Sequence, residues 1–214
     1  MIKAILFDFD DTLVKTIETK INALQYTGKK YYNLDLTDRD IKKHWGKPFR
    51  SLMKAVFKNV DRTEKIIEKY TIERKKFPSP PHDNAVKVLR ELSKKYLLGI
   101  VTSHTKRFII KDLKIADIPK DLFFLIQTEE ETSAHKPDPK VFDLTIKRLK
   151  KRGILKSSIV YIGDSLLDFF AARDAGIRFY GLAGRTTTKK QFKQVGSKTI
   201  KNLFELIDIL KKQN

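Results

Sequence analysis

The sequence predicts an α/β fold: a Rossmann-like, mostly parallel sheet with helices on both faces, and an inserted all-helical cap. Three observations support this prediction. The chain opens with a short apolar segment that ends abruptly in acidic residues. A long stretch, from about residue 14 to residue 81, has helical spacing of apolar residues and little strand signal. Beyond it, short apolar runs alternate with amphipathic segments, and repeated strand–helix units of this size favour a parallel sheet.

The first predicted strand covers residues 3–8 and runs into the turn Asp8-Phe9-Asp10-Asp11-Thr12. Apolar residues at helical spacing then predict helices around residues 17–24, before Gly28, and around 49–57 and 66–77. Between the first two, Thr37 with Asp40 has the spacing of a helix-start box.

The all-helical stretch closes at Pro78-Ser79-Pro80-Pro81, a run that cannot continue a helix and is typical of a hinge or linker. The first strand must pair with strands beyond this stretch, so the stretch is predicted to be an insertion. We therefore expect a catalytic core of residues 1–14 and 82–214 and a cap domain of residues 15–81. Ligands bind at the carboxyl ends of strands in such sheets, so an insertion rooted there is expected to cover the site.

After the prolines, strands and helices are predicted to alternate. The predicted strands are 97–101, 122–126, 159–162 and 177–182, and the predicted helices are 84–95, 106–113, 138–151, 166–175 and 202–212.

Composition narrows the class of protein. Among 214 residues, 41% are hydrophobic and 10% aromatic, which favours a packed globule over disorder. No stretch approaches the ~20 apolar residues of a membrane span, and the opening apolar run is typical of a buried strand, not of a signal peptide. We expect a cytoplasmic protein without a membrane partner. With no cysteine and four scattered histidines, any metal is expected to be a hard ion held by carboxylates.

The formal net charge of +19 has three interpretations. The favoured one is a lysine-rich surface suited to solubility or to high temperature. Attraction of a small anionic substrate comes second, and nucleic-acid binding third. The order follows from the distribution of the lysines, which are spread over nearly every predicted helix without a dominant cluster.

Polar residues follow several predicted strands, where a parallel sheet brings its carboxyl ends together. These residues are Asp8, Asp10, Thr102, Ser103, Lys136, Asp164 and Ser165. Phosphoryl transfer needs such a set: a nucleophile, an acid and base, a cation and carboxylates that hold Mg²⁺. The site is therefore predicted to carry phosphoryl chemistry.

Each segment also has a structural interpretation. The acidic turn could be only a turn, although three carboxylates within four positions repel one another unless a cation is present. Thr102-Ser103 could lead into a helix cap, and Lys136 could be solvated. Ser165 and Asp168 have the spacing of a capping box, whereas Asp164 has no such structural explanation.

The ordered combination is more specific than its parts. Asp8-x-Asp10-x-Thr12, then Thr102-Ser103, then Lys136-Pro137, then Gly163-Asp164-Ser165-x-x-Asp168 resembles the four motifs of the haloacid dehalogenase-like hydrolase superfamily. The resemblance covers the whole chain, and the position of the helical insertion is similar to that of the phosphoglycolate phosphatase and β-phosphoglucomutase branch.

The resemblance implies a role for each residue. Asp8 would be the nucleophile that forms a phospho-aspartyl intermediate, and Asp10 the acid that protonates the leaving oxygen and later the base that activates water. Thr102 and the backbone at Ser103 would hold a phosphoryl oxygen, and Lys136 would neutralise charge. The second aspartate, Asp10, argues against dehalogenation, because a halide leaves without a proton.

The resemblance also implies a magnesium ion. Its ligands would be the Asp8 carboxylate, the Asp10 backbone carbonyl and Asp164, with Asp168 a direct or water-mediated ligand. Physically, such an ion lets an anionic nucleophile and an anionic phosphate approach each other.

The cap would supply specificity. In the stretch from His44 to Arg50, Gly46 would allow close approach and Lys47 and Arg50 would reach the leaving group. The alternative, which is slightly favoured, is that Gly46 and Pro48 only separate two helices and that the side chains of Lys47 and Arg50 are solvated.

Such a cap leaves room for a small phosphorylated metabolite. 2-Phosphoglycolate, a sugar phosphate, a nucleoside monophosphate and pyrophosphate all remain open. We predict a phosphoric monoester hydrolase, with a phosphomutase or a pyrophosphatase as the alternatives. A basic nucleic-acid-associated module is the non-enzymatic alternative. The protein is expected to be a monomer or a homodimer.

Overall fold

The computed structural model describes residues 1–45 and 47–212 of the chain. The chain divides into two compact units. One, the core unit, comprises Met1–Val14 and Pro81–Asn214, and the other, the helical unit, comprises Lys15–Pro80.

The core unit is built on a six-stranded sheet with the order β3-β2-β1-β4-β5-β6, in which every neighbouring pair is parallel. This arrangement confirms the predicted α/β class. The strands are β1 (Ala4–Phe7), β2 (Leu97–Val101), β3 (Phe123–Gln127), β4 (Ile159–Gly163), β5 (Arg178–Leu182) and β6 (Thr199–Ile200).

Both units contain helices. In the helical unit they are α1 (Ile17–Tyr32), α2 (Asp38–Lys42), α3 (Phe49–Val56) and α4 (Thr63–Glu73). In the core unit they are α5 (Ala85–Ser93), α6 (Lys106–Ile115), α7 (Asp143–Lys150), α8 (Leu166–Asp174), α9 (Lys189–Gln194) and α10 (Glu205–Lys211).

The central strand β1 is buried on both faces. Ile5 and Phe7 pack into one apolar cluster with residues of α5, α6 and α10, whereas Ala4 and Leu6 pack into a second cluster with residues of α7, α8 and α9. All four side chains are 0% exposed, which explains why the sequence of this strand is apolar without alternation. The helices therefore cover both faces of the sheet.

The register of the sheet sets the position of the polar residues. Phe7, the last residue of β1, pairs with Ile100 on one side and with Ile162 on the other. The backbone N–H of Asp8 then donates to the carbonyl of Ile162 at 2.8 Å, which continues the ladder by one residue. The residues that follow β1, β2 and β4 consequently lie at one edge, where open parallel sheets bind ligands.

The helical unit has its own core, which includes Met53, Phe57 and Tyr70. The predicted helix-start box is confirmed, since Thr37 Oγ1 accepts from the Asp40 N–H at 3.1 Å. Helix α1 continues through Gly28 to Tyr32. A Cβ at Gly28 would lie 2.9 Å from Leu36 Cδ1, so the glycine allows close packing on the helix and does not end it.

Two further differences from the sequence prediction have local causes. Residues 139–142 form a 3₁₀ turn before α7, after Asp138 accepts from the Lys140 N–H at 2.9 Å. Helix α9 and strand β6 were not predicted, although Thr188 and Gln191 form a capping box that marks the start of α9. Over the described residues, no helix combines the length and the apolar composition that crossing a membrane requires.

Candidate active site

A buried ion pair network joins three of the predicted site residues. Lys136 Nζ lies 2.7 Å from Asp8 Oδ1 and 2.6 Å from Asp168 Oδ1, and the three side chains are 6%, 9% and 2% exposed. Asp8 follows β1, Lys136 lies in the loop after β3, and Asp168 lies on the first turn of α8. One ammonium group therefore connects three segments that are distant in sequence.

Asp164 completes a cluster of three carboxylates. Asp8, Asp164 and Asp168 each offer an oxygen, and these oxygens lie within 4.8 Å of one another. Thr12, to which the sequence reasoning assigned no role, donates its hydroxyl to Asp164 Oδ1 at 3.4 Å. The cluster lies at the carboxyl edge of β1 and β4.

Asp168 has a structural role as well as a place in the cluster. Its Oδ2 accepts from the N–H and the hydroxyl of Ser165 at 3.1 and 2.5 Å, which forms the capping box of α8. Its Oδ1 also lies 3.0 Å from the hydroxyl of Tyr161. Gly163 makes room for this side chain, because a Cβ there would lie 2.6 Å from Asp168 Cβ and Cγ. The capping interpretation of Asp168 is therefore confirmed, and its assignment as a magnesium ligand stays a prediction.

Burial controls the electrostatics of the site. Burial raises the pKa of Asp8 to about 7, against the opposing effect of the Lys136 ammonium. Burial also raises the pKa of Asp164 well above its usual value, and the carboxylates of Asp168 and Asp8 add to the rise. For Lys136, burial favours the neutral amine, but Asp168 and Asp8 outweigh it and raise the lysine pKa. With all three carboxylates ionised, one ammonium would leave an excess of buried negative charge.

This excess fits a divalent cation. Three buried carboxylates within reach of one point are the oxygen donors that Mg²⁺ prefers, and no cysteine is present to favour a softer metal. A cation among them would favour the ionised forms that burial opposes. The donor set therefore fits magnesium, with Asp8, Asp164 and Asp168 as the side chains that would hold it.

Asp10 points to a different group of residues. Its Oδ2 lies 3.2 Å from His104 Nδ1, and its side chain is 26% exposed. The side chain of Thr102 is buried, and its Oγ1 accepts from the His104 N–H at 3.1 Å. Ser103, between these two residues, is exposed. Thr102 and Ser103 thus follow β2 as predicted, and Asp10 faces the same loop.

Two of the substrate-binding residues predicted in the cap contact other residues of the helical unit. Lys47 Nζ lies 3.1 Å from His44 Nδ1, and Arg50 forms an exposed ion pair with Glu64. Gly46 lies outside the described residues. The assignment of Gly46, Lys47 and Arg50 to substrate binding stays a prediction.

Sequence reasoning missed two residues near the site, His104 and its second partner Asp112. A weak signal existed, because His104 directly follows the Thr102-Ser103 motif. Asp112 lies eight residues further along, on α6, and only the fold brings it to the imidazole.

Comparison with known proteins places the chain among its relatives. A family profile described as haloacid dehalogenase-like hydrolase matches residues 5–182. A protein from Bacillus velezensis named pyrophosphatase PpaX is 29% identical over 190 residues, which cover 85% of this chain and 83% of that protein.

Two solved structures have a similar fold. A provisionally assigned phosphoglycolate phosphatase from Haemophilus somnus superposes with a TM-score of 0.82 at 20% identity and covers 98% of each chain. A provisionally assigned β-phosphoglucomutase from Thermotoga maritima superposes with a TM-score of 0.81 at 22% identity and covers 99% of each chain. At these identities, the likeness shows the fold alone.

The raised pKa of Asp8 predicts a pH-dependent stabilisation by magnesium. Folding raises this pKa from 3.8 to about 7, so the folded state keeps a proton that the unfolded chain releases, and this group favours unfolding as pH rises between those values. Bound Mg²⁺ would remove that penalty. Thermal unfolding should therefore show a larger rise in Tm with magnesium at pH 8 than at pH 5. A rise in Tm at pH 8 that is no larger than the rise at pH 5 would contradict the prediction.

Gly163→Ala should destabilise the protein, because the new methyl group would meet Asp168 at 2.6 Å. We expect a loss of about 1–3 kcal/mol in the free energy of unfolding, measured by urea denaturation. Gly184→Ala is the matched control, since a Cβ at Gly184 would meet nothing within 4 Å. Equal effects of the two substitutions would show that the contact with Asp168 is unimportant.

Proposed function

Because the chain belongs to the haloacid dehalogenase-like hydrolase family, we propose that it is a magnesium-dependent phosphatase that acts on a small phosphorylated molecule through a phospho-aspartyl intermediate on Asp8. The observation that carries this proposal is the contact of Lys136 Nζ with Asp8 Oδ1 at 2.7 Å inside a buried cluster of carboxylates. These groups would supply a nucleophile, a fixed cation and oxygens that hold a metal within one site.

In the first step, a carboxylate oxygen of Asp8 attacks phosphorus and the bond from phosphorus to the leaving oxygen breaks. The Lys136 ammonium stays charged beside Asp8, where it offsets the negative charge of the phosphoryl group. Thr102 and the backbone at Ser103 would hold a non-bridging oxygen. The burial of Thr102 and its bond to the loop backbone support such a fixed position.

Asp10 would then serve twice. Its carboxyl gives a proton to the leaving oxygen, and the resulting carboxylate takes a proton from the water that hydrolyses the aspartyl phosphate. The second step releases inorganic phosphate and restores Asp8. The 26% exposure of the Asp10 side chain supports access to the substrate and to water.

The residues that would hold magnesium are Asp8, Asp164, Asp168 and the backbone carbonyl of Asp10. When bound, the ion supplies positive charge that lets two anions approach and that stabilises the transferring group. The buried carboxylate cluster supports this assignment.

Pyrophosphate is the first substrate to test. The Bacillus velezensis relative carries the name pyrophosphatase PpaX, and it matches most of both chains. Phosphate monoesters, such as 2-phosphoglycolate and sugar phosphates, are the second class, and a phosphomutase that uses the same aspartates is a further alternative. A purely nucleic-acid-binding role is not favoured, since it gives no reason for a buried lysine between two aspartates.

Asp8→Asn should abolish magnesium-dependent release of phosphate from pyrophosphate, p-nitrophenyl phosphate and 2-phosphoglycolate, because the amide is a poor nucleophile. Asp121→Asn, at an exposed position outside the site, is the control and should keep wild-type activity. A colorimetric phosphate assay measures both. Full activity of Asp8→Asn would contradict the proposal, and so would a wild-type protein that turns over no phosphate compound with magnesium present.

Asp10→Asn should slow substrates with poor leaving groups far more than substrates with good ones, because only the former need a proton. General acid catalysis contributes roughly 10²–10⁴-fold, so we expect kcat for phenyl phosphate to fall by about that factor and kcat for p-nitrophenyl phosphate to fall much less. Equal losses for the two substrates would exclude Asp10 as the acid.

A further inference from the structure

His104 connects Asp10 to a second buried carboxylate. Its Nδ1 lies 3.2 Å from Asp10 Oδ2, and its Nε2 lies 3.0 Å from Asp112 Oδ2. The side chains of His104 and Asp112 are 6% and 2% exposed, whereas that of Asp10 is 26% exposed. The three side chains thus form a chain from the protein interior to the edge of the site.

The imidazole ring is fixed on several sides. It packs against the rings of Phe9 and Phe108, with centroid distances of 5.5 and 6.2 Å. Its backbone N–H donates to Thr102 Oγ1, and its carbonyl accepts from the Glu129 N–H at 3.2 Å. Backbone and ring contacts therefore both determine where Nδ1 points.

Stability alone does not account for this arrangement. Burying a histidine and an aspartate costs desolvation free energy, and apolar residues of similar volume are often equally stable or better. A purely structural role would not require Nδ1 to contact Asp10, a partly exposed carboxyl group that we propose to be catalytic. The effect of the arrangement is to fix the position of the Asp10 carboxyl group.

We propose that His104, anchored by Asp112, is a positioning residue that orients the carboxyl group of Asp10 toward the leaving oxygen. The inference rests on the proposed function, since it gives Asp10 its role as acid and base. With its proton on Nδ1, the ring donates to Asp10 Oδ2, which accepts both as the carbonyl oxygen of the carboxyl and as an oxygen of the carboxylate. The same contact therefore holds both forms of Asp10 and leaves Oδ1 to carry the transferred proton. Correct orientation of such a group is worth a large part of its catalytic effect.

Two conservative variants separate the two contacts of the ring. In glutamine the side-chain amide nitrogen lies near the position of Nε2, so His104→Gln keeps a group near Asp112 and loses the contact with Asp10. In asparagine it lies near the position of Nδ1, so His104→Asn keeps the contact with Asp10. His82→Gln, at a half-buried histidine to which the proposed mechanism gives no role, controls for the substitution itself.

The readout is kcat for phenyl phosphate and for p-nitrophenyl phosphate, with urea denaturation as the measure of folding. We expect His104→Gln to lower kcat for phenyl phosphate about tenfold more than kcat for p-nitrophenyl phosphate, and His104→Asn to recover most of that difference. The double variant D10N/H104Q should be no slower than D10N, because both substitutions remove the same function, acid catalysis by Asp10.

Equal losses on both substrates in His104→Gln would overturn the inference, and so would additive losses in the double variant. If His104→Gln fails to fold, His104→Leu, which has a similar volume and no polar group to contact Asp10, carries the same test and should show the same selective loss. Wild-type and D10N enzymes that behave as proposed, beside a His104→Gln enzyme without selective loss, would refute only the positioning role. A wild-type protein inactive on every phosphate compound would refute the proposed function and this inference together.

Discussion

The buried contact of Lys136 with Asp8 and Asp168 is the interaction on which the rest of the site depends. It joins the end of the central strand, the loop after β3 and the first turn of α8. A buried charge that loses its partner costs about 3–5 kcal/mol, so each of the three segments is held to the others. Apolar packing would stabilise these segments as well as the buried charges do, so stability alone does not explain the network. The proposed phosphoryl chemistry gives a reason for it.

The parallel sheet supplies the geometry that the ion pair needs. Strand β1 lies between β2 and β4, so the residues that follow these three strands share one edge without any long connection. Apolar side chains fill both faces of β1 and leave the polar groups only at its end. The raised pKa values of Asp8 and Asp164 show that burial opposes their ionised forms at that edge. A bound cation would offset this effect, because it favours the ionised carboxylates.

Sequence patterns were sufficient for most of the sheet. Apolar runs bounded by polar turns identified five of the six strands of the described sheet. Motif spacing singled out Asp8, Asp164, Asp168 and Lys136, which the fold brings together, while their roles stay predictions. The two-residue strand β6 and the short helix α9 carry too little periodicity to stand out. His104 and Asp112 could not be paired from the sequence, because their contact depends on how α6 packs beside the loop after β2. Asp168 shows that a capping residue and a charged site residue can be the same side chain.

In the proposed site, the acids after β1 and β4 surround one divalent ion beside a phosphoryl group on Asp8. A crystal structure with magnesium and a beryllofluoride or aluminium fluoride mimic of phosphate tests it most directly. We expect an ion with oxygens of Asp8 and Asp164 at about 2.0–2.1 Å and the mimic attached to Asp8, next to Lys136. Side chains of Asp8 and Asp164 that turn away from each other, with no ion between them, would contradict it.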